Sequence, residues 1–181
     1  MLCCSPAARW QSDTDSLVRD NSGFTFNLYR KLAKTEGNAF FSPYSISTAL
    51  AMTYAGARGK TEKEMGTTLR FSLGQKELHP AFARIEVQLS KMQKAGSIRL
   101  NVASSLWPQE GYPFLDDYLS LIKKHYGVSI TAVDYRQAPE EARKLINGWV
   151  ENKTHDRIRS LIQPGGLDPL TRLVLVNAIY F

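Results

Sequence analysis

The sequence predicts an α+β fold with a mixed sheet. Three observations lead there. Four helical patterns precede the first strand. Strands and helices then alternate, with connections long enough for crossovers within one sheet. The last nine residues, Leu173-Val174-Leu175-Val176-Asn177-Ala178-Ile179-Tyr180-Phe181, form an apolar run rich in Val, Ile and aromatics. Such a run suits a strand buried on both faces. No turn or charge follows it. That is expected of a piece of a longer fold, because a bare apolar strand edge invites aggregation.

Residues 1–20 are expected to be a disordered leader or the remnant of an export segment, and residues 21–181 part of one domain. Asn21 or Ser22 can cap a first helix whose Phe24, Leu28 and Leu32 make one apolar stripe. Glu36-Gly37-Asn38 ends it. Ser42-Pro43 then gives an N-cap followed by proline at the first helical position. The helix to about Ala55 is apolar nearly all round, which predicts burial. Thr61-Glu62-Lys63-Glu64 reads as a capping box for a short helix to Leu69. Pro80 starts the next helix, with Phe82, Ile85, Leu89 and Met92 on one face and Gly96 as its stop.

Ser97 to Trp107 alternates with period two and reads as a strand. Phe114 to Tyr126 is an amphipathic helix with a basic end, closed by Gly127. Val128 to Tyr135 is a second strand. Pro139 to about Lys153 is a helix carrying Ala142, Leu145, Ile146 and Trp149. A Pro- and Gly-rich loop leads from it to the terminal strand.

Composition narrows the function classes. Hydrophobic residues at 43% support a real core, and 22% charged residues suit a solvated surface. No apolar run approaches the ~18 residues of a membrane span. The net charge of +6 is spread along the chain and interrupted by acidic residues, which disfavours a nucleic-acid site. Weak polyanion binding stays compatible with it. Cys3 and Cys4, the two cysteines, adjoin each other and cannot build a disulfide framework.

Enzyme signatures are missing. The chain has no G-x-S-x-G elbow, no phosphate-binding glycine loop and no H-E-x-x-H. His79, His125 and His155 are dispersed, and His79 is expected at a helix start in a capping or surface role. Asp116-Asp117 and Glu140-Glu141 are neighbours in sequence only, and adjacent helical residues do not face each other. No metal or other cofactor is implied. Asn152-Lys153-Thr154 is a glycosylation sequon, meaningful only in a secreted eukaryotic protein.

Four motifs point to one family. Asn38-Ala39-Phe40-Phe41-Ser42-Pro43-Tyr44-Ser45-Ile46, with Gly56-Ala57-Arg58-Gly59-Lys60-Thr61 after it, closely resembles the start of a serpin. So do Leu100-Asn101-Val102-Ala103-Ser104-Ser105-Leu106-Trp107 and Ile146-Asn147-Gly148-Trp149-Val150-Glu151-Asn152-Lys153-Thr154. The ending Leu173 to Phe181 resembles the third strand of that family's central sheet. The compact Leu73 to Gly96 segment looks more like prokaryotic members.

The resemblance implies the N-terminal half of a single serpin domain and inhibition of a serine protease. A cysteine protease is compatible with the same family. In that mechanism a cleaved reactive loop, absent from this chain, inserts into the central sheet and carries the protease with it. Leu173, Leu175, Asn177 and Ile179 would then line the insertion gap, and Ser42, Ser45 and Asn177 would match the shutter region. An extracellular, periplasmic or cell-envelope location would follow. A non-inhibitory serpin acting as carrier, chaperone or storage protein is the alternative.

Overall fold

The computed structural model describes residues 6–34, 36–96 and 101–180. The chain divides into two compact units, one up to Lys91 and one from Met92.

The first unit is helical: α1 Pro6–Leu32, α2 Pro43–Tyr54, α3 Gly59–Leu69 and α4 Gln75–Lys94, whose last residues pass into the second unit. Helix α1 differs from the expected disorder of residues 6–20. Residues 6–20 are helical, and the helix starts well before Asn21 and Ser22. The reason lies upstream of the expected stripe. Thr14, Leu17 and Phe24 recur at helical spacing and are all buried. Asp20 also accepts the backbone N–H and the hydroxyl of Ser72, both at 2.7 Å. Two more staples join α1 to α4, where Arg84 donates to Thr14 at 3.2 Å and lies 3.6 Å from Asp13. Met1 to Ser5, including both cysteines, lie outside the described residues.

Helix α2 starts as its sequence requires. Pro43 stands in its first turn and Ser42 Oγ accepts the Ser45 N–H at 3.3 Å. Its burial is less complete than expected, because Leu50 and Thr53 face outward. The expected capping box of α3 does not form. The helix begins three residues earlier, after Arg58, whose guanidinium turns back onto the carbonyls of Ala55 and Ala57 at 2.9 and 2.7 Å. Those orphan carbonyls at the end of α2 recruit the side chain that precedes α3. Helix α4 likewise starts early, at Gln75, and carries Pro80 inside it. His79 is therefore buried rather than at the surface. Its Nε2 lies 3.4 Å from Gln75 Oε1, and its ring lies 6.5 Å from that of Tyr54. Tyr54, Phe71 and Phe82 continue the core through edge-to-face contacts at 5.4 and 6.0 Å.

The second unit holds β1 Asn101–Pro108, α5 Asp116–Tyr126, β2 Ser129–Ile130, α6 Pro139–Lys153 and β3 Leu173–Tyr180. The sheet order is β2-β1-β3. Strand β1 runs parallel to β2 and antiparallel to β3. The expected positions Ile98 and Leu100 lie outside the described residues. Strand β1 is covered on both faces, since Ser105, Leu106 and Trp107 are all buried, where its alternation had predicted one polar face. Strand β2 is far shorter than Val128 to Tyr135. Its line continues as separate bonds, Thr131 N–H to the Leu106 carbonyl and Val133 N–H to the Pro108 carbonyl, both at 3.0 Å. Asp134 then ends it by accepting the backbone N–H groups of Arg136 and Gln137. Among the described residues, no helix is long and apolar enough to cross a membrane.

Candidate functional site

Strand β3 has two different faces. Val174 and Val176 pack with Ala142, Ile146 and Val150 of α6 and with Trp107 of β1. Period-two alternation therefore turns Leu173, Leu175, Asn177 and Ile179 to the opposite face. All four are half-buried, whereas Val176 and Ala178 on the other face are buried, so the strand is covered unevenly, contrary to the expectation from its apolar run. The four predicted gap residues share this less covered face.

The register explains the single amide in the run. Asn177 stands opposite Ser104 and its Nδ2 donates to Ser104 Oγ at 2.9 Å. A half-buried amide inside an apolar strand needs such a partner. Ser42 caps α2 through the Ser45 N–H, in the first unit, whereas Asn177 belongs to the second. Removing the Asn177 side chain is expected to cost about 0.5–1.5 kcal/mol, the range for one net hydrogen bond. Urea unfolding of the full-length protein and its Asn177→Ala variant should show a loss of that size. Unchanged stability would remove the bond to Ser104 from the account.

Among the described residues β1 pairs with one edge of β3 and no strand pairs with the other. Eight residues of apolar strand thus present a template for another strand.

Helix α6 holds the covered face. Trp149 meets Trp107 edge-to-face at 6.3 Å, and Tyr135 donates its hydroxyl proton to the Trp107 carbonyl at 2.8 Å. The segment after α6 is stapled back onto the helix. Asn147 pairs with Ile162 in both directions, accepting its N–H and donating to its carbonyl, each at 2.9 Å. Arg143 donates to the same carbonyl at 3.1 Å. Glu151 accepts the Ser160 N–H, and Glu140 accepts the Gly165 N–H. These bonds hold a segment whose His155, Asp156 and Ser160 take left-handed φ of 48°, 60° and 50°. Such conformations cost about 1–3 kcal/mol each without glycine, so the staples offset real strain.

Sequence reasoning missed Ser104, Asn147 and the two glutamates as partners. Asn147 did carry a signal. It shares the buried face of α6 with Ile146 and Val150, where a polar residue implies a specific bond.

Two carboxylates tie this unit to pH. The side-chain bond from Gln109, followed by the N–H groups of Gln137 and Arg136, holds the Asp134 carboxyl below its ordinary value. Arg143, then the Gly165 N–H, does the same for Glu140. A folded value below the unfolded one favours the fold once the carboxyl is ionised, above about pH 4. That contribution is lost as pH falls through the lowered folded values. Thermal melts from pH 6 to 2 should therefore show declining stability below about pH 4, with a shallower decline in Asp134→Asn. An identical pH profile in the variant would contradict this assignment.

The sequence matches the serpin (serine protease inhibitor) family over residues 19–181. It is 42% identical to a leukocyte elastase inhibitor of Xenopus tropicalis over 160 residues, covering 87% of this chain and 42% of that protein. It is equally 42% identical to an uncharacterised serpin-like protein of Thermococcus kodakarensis over 165 residues, covering 91% and 38%. The shared value for an animal and an archaeal relative gives no weight to a prokaryotic assignment. Emu (Dromaius novaehollandiae) ovalbumin has a similar structure, with a TM-score of 0.80 and 34% identity over 90% of this chain and 46% of that one. The chain thus spans less than half the length of these relatives. With the match running from the middle of α1 through β3, the chain belongs to the serpin family.

Proposed function

We propose that this chain is the N-terminal half of a single-domain inhibitor of serine endopeptidases. In the proposed reaction the protease cuts an exposed loop in the other half of the protein. The freed loop then enters beside β3 as a new strand, with Leu173, Leu175, Asn177 and Ile179 on its flank and Ser42, Ser45 and Asn177 acting as the shutter. The single observation that carries this reading is the serpin family match over residues 19–181, which runs through β3. Pairing along eight residues could add on the order of 5–10 kcal/mol of backbone bonding, at about 0.5–1.5 kcal/mol per bond. That is enough to drive a large rearrangement. Similarity of about 40% to leukocyte elastase inhibitors supports an elastase-type target.

The test is to mix the full-length gene product with pancreatic elastase and run the mixture on a denaturing gel. A covalent complex that survives SDS is expected. Cleavage without any such complex, here and with a panel of trypsin- and chymotrypsin-type proteases, overturns the inhibitory reading and leaves the non-inhibitory serpin.

A further inference from the structure

The first unit contains a cavity of about 820 Å³ between α1 and α3, unrelated to β3. Its size falls within the roughly 300–1,000 Å³ of sites that take small organic ligands. Phe24 and Leu28 supply apolar surface, and Arg30, Lys31 and Lys34 supply charge. Thr67 and Thr68 line it from α3. Phe24, Leu28 and Lys31 lie at i, i+4 and i+7, so one face of α1 passes from apolar to cationic towards its C-terminal end. No carboxylate among the described residues lines the cavity. Among the described residues, none of the three cations forms an ion pair.

A simpler role exists for two of these cations. Arg30 and Lys31 stand in the last turn of α1, where they complement the helix dipole. Magnitudes separate the two roles. Both α1 and α3 end at this cavity, and each helix end carries about −0.5 of a charge. Three full positive charges exceed that sum by about two. The surplus sits beside apolar surface, so the matching ligand has an anionic head and an apolar chain.

We propose that this groove binds an amphipathic anion of the long-chain fatty-acid class, its chain against Phe24 and Leu28 and its carboxylate among Arg30, Lys31 and Lys34. Contact with these side chains removes part of the ligand chain's apolar surface from water, which favours binding. The cations orient the head and discriminate against neutral analogues.

The probe is sodium oleate below its micellar concentration, titrated into full-length protein by calorimetry. One site is expected, with oleyl alcohol at least tenfold weaker. The double variant Lys31→Glu/Lys34→Glu should lose at least tenfold in affinity, while Lys153→Glu in the second unit should lose none. Acetic anhydride should label Lys31 and Lys34 in the unliganded protein, and oleate should protect them. Several results would overturn the proposal. They are no binding, equal binding of the alcohol, or indifference to the charge reversal. Association with phosphatidylglycerol vesicles but not with monomeric oleate would mark a membrane surface instead. Binding of a heparin oligosaccharide in place of oleate would mark a polyanion site. Lysines that resist labelling without ligand would show that another part of the protein fills the groove. Protease inhibition enters none of these readouts, so this idea and the inhibitory reading fail separately.

Discussion

Replacing Ile146 with alanine is expected to destabilise the protein by about 2–5 kcal/mol, the usual cost of truncating a fully buried Ile. Ile146 is 0% exposed and lies in one cluster with Trp107, Val150 and Val176. No solvent can enter the space that its side chain leaves, and its neighbours are held by the sheet. The adjacent Leu145 provides the control, because it is 58% exposed. Leu145→Ala should stay within about 0.5 kcal/mol, as surface substitutions usually do. Urea unfolding of the full-length protein, followed by tryptophan emission, measures both. Equal effects of the two substitutions would mean that α6 does not seat on the sheet through Ile146.

The second large effect concerns the staple behind α6. Asn147→Ala deprives the Ile162 N–H of its side-chain acceptor and removes one donor from the Ile162 carbonyl. Leaving a buried backbone group short of a partner costs about 1–3 kcal/mol, and the half-buried Ile162 should fall towards the lower end of that range. Arg143 still reaches the same carbonyl, so the N–H carries most of the penalty. Asn147→Asp separates the two halves of the pair. Its carboxylate keeps the acceptor but loses the donor, and it sets negative charge against the carbonyl. Both variants should speed hydrogen exchange across residues 155–165. If α6 and this segment move together during insertion, both variants should also raise the insertion rate in the full-length protein. Unchanged exchange in both would show that Asn147 does not hold the segment.

Much of this architecture was legible in the residues, for identifiable reasons. Helix α6 combines Pro139 at its start with a regular apolar stripe, and its observed bounds match the reading. Strand β3 announced itself by an apolar run too short for a core helix. What the sequence hid was contingent on tertiary partners. The first half of α1 looks polar on its own, yet Leu17 and Thr14 are buried in it, and Asp20 meeting Ser72 and Thr14 meeting Arg84 tie it to the rest of the unit. Thr61 had a good capping box, yet Arg58 bound the end of α2 and the helix began earlier. Local propensity gave way to two unsatisfied carbonyls.

The candidate site divides in the same way. The choice of Asn177 rested on the resemblance to the serpin family, with one amide in an apolar run as the supporting signal in the residues. Its partner Ser104 lies 73 residues away and depends on strand register, which no local pattern encodes. The edge of β3 that no described strand pairs with is likewise a property of topology and not of composition. His79 shows the converse error. Proline at the next position suggested a helix start and a surface role, whereas the helix begins at Gln75 and buries the imidazole beside Tyr54.

The central claim is that the outer edge of β3 receives a strand. Hydrogen exchange of the full-length protein, before and after cleavage by its target protease, tests it most directly. The account predicts that amides from Leu173 to Tyr180 exchange measurably before cleavage and become strongly protected after it, together with a rise in melting temperature. Exchange across β3 that is the same in the intact and cleaved protein would contradict the account.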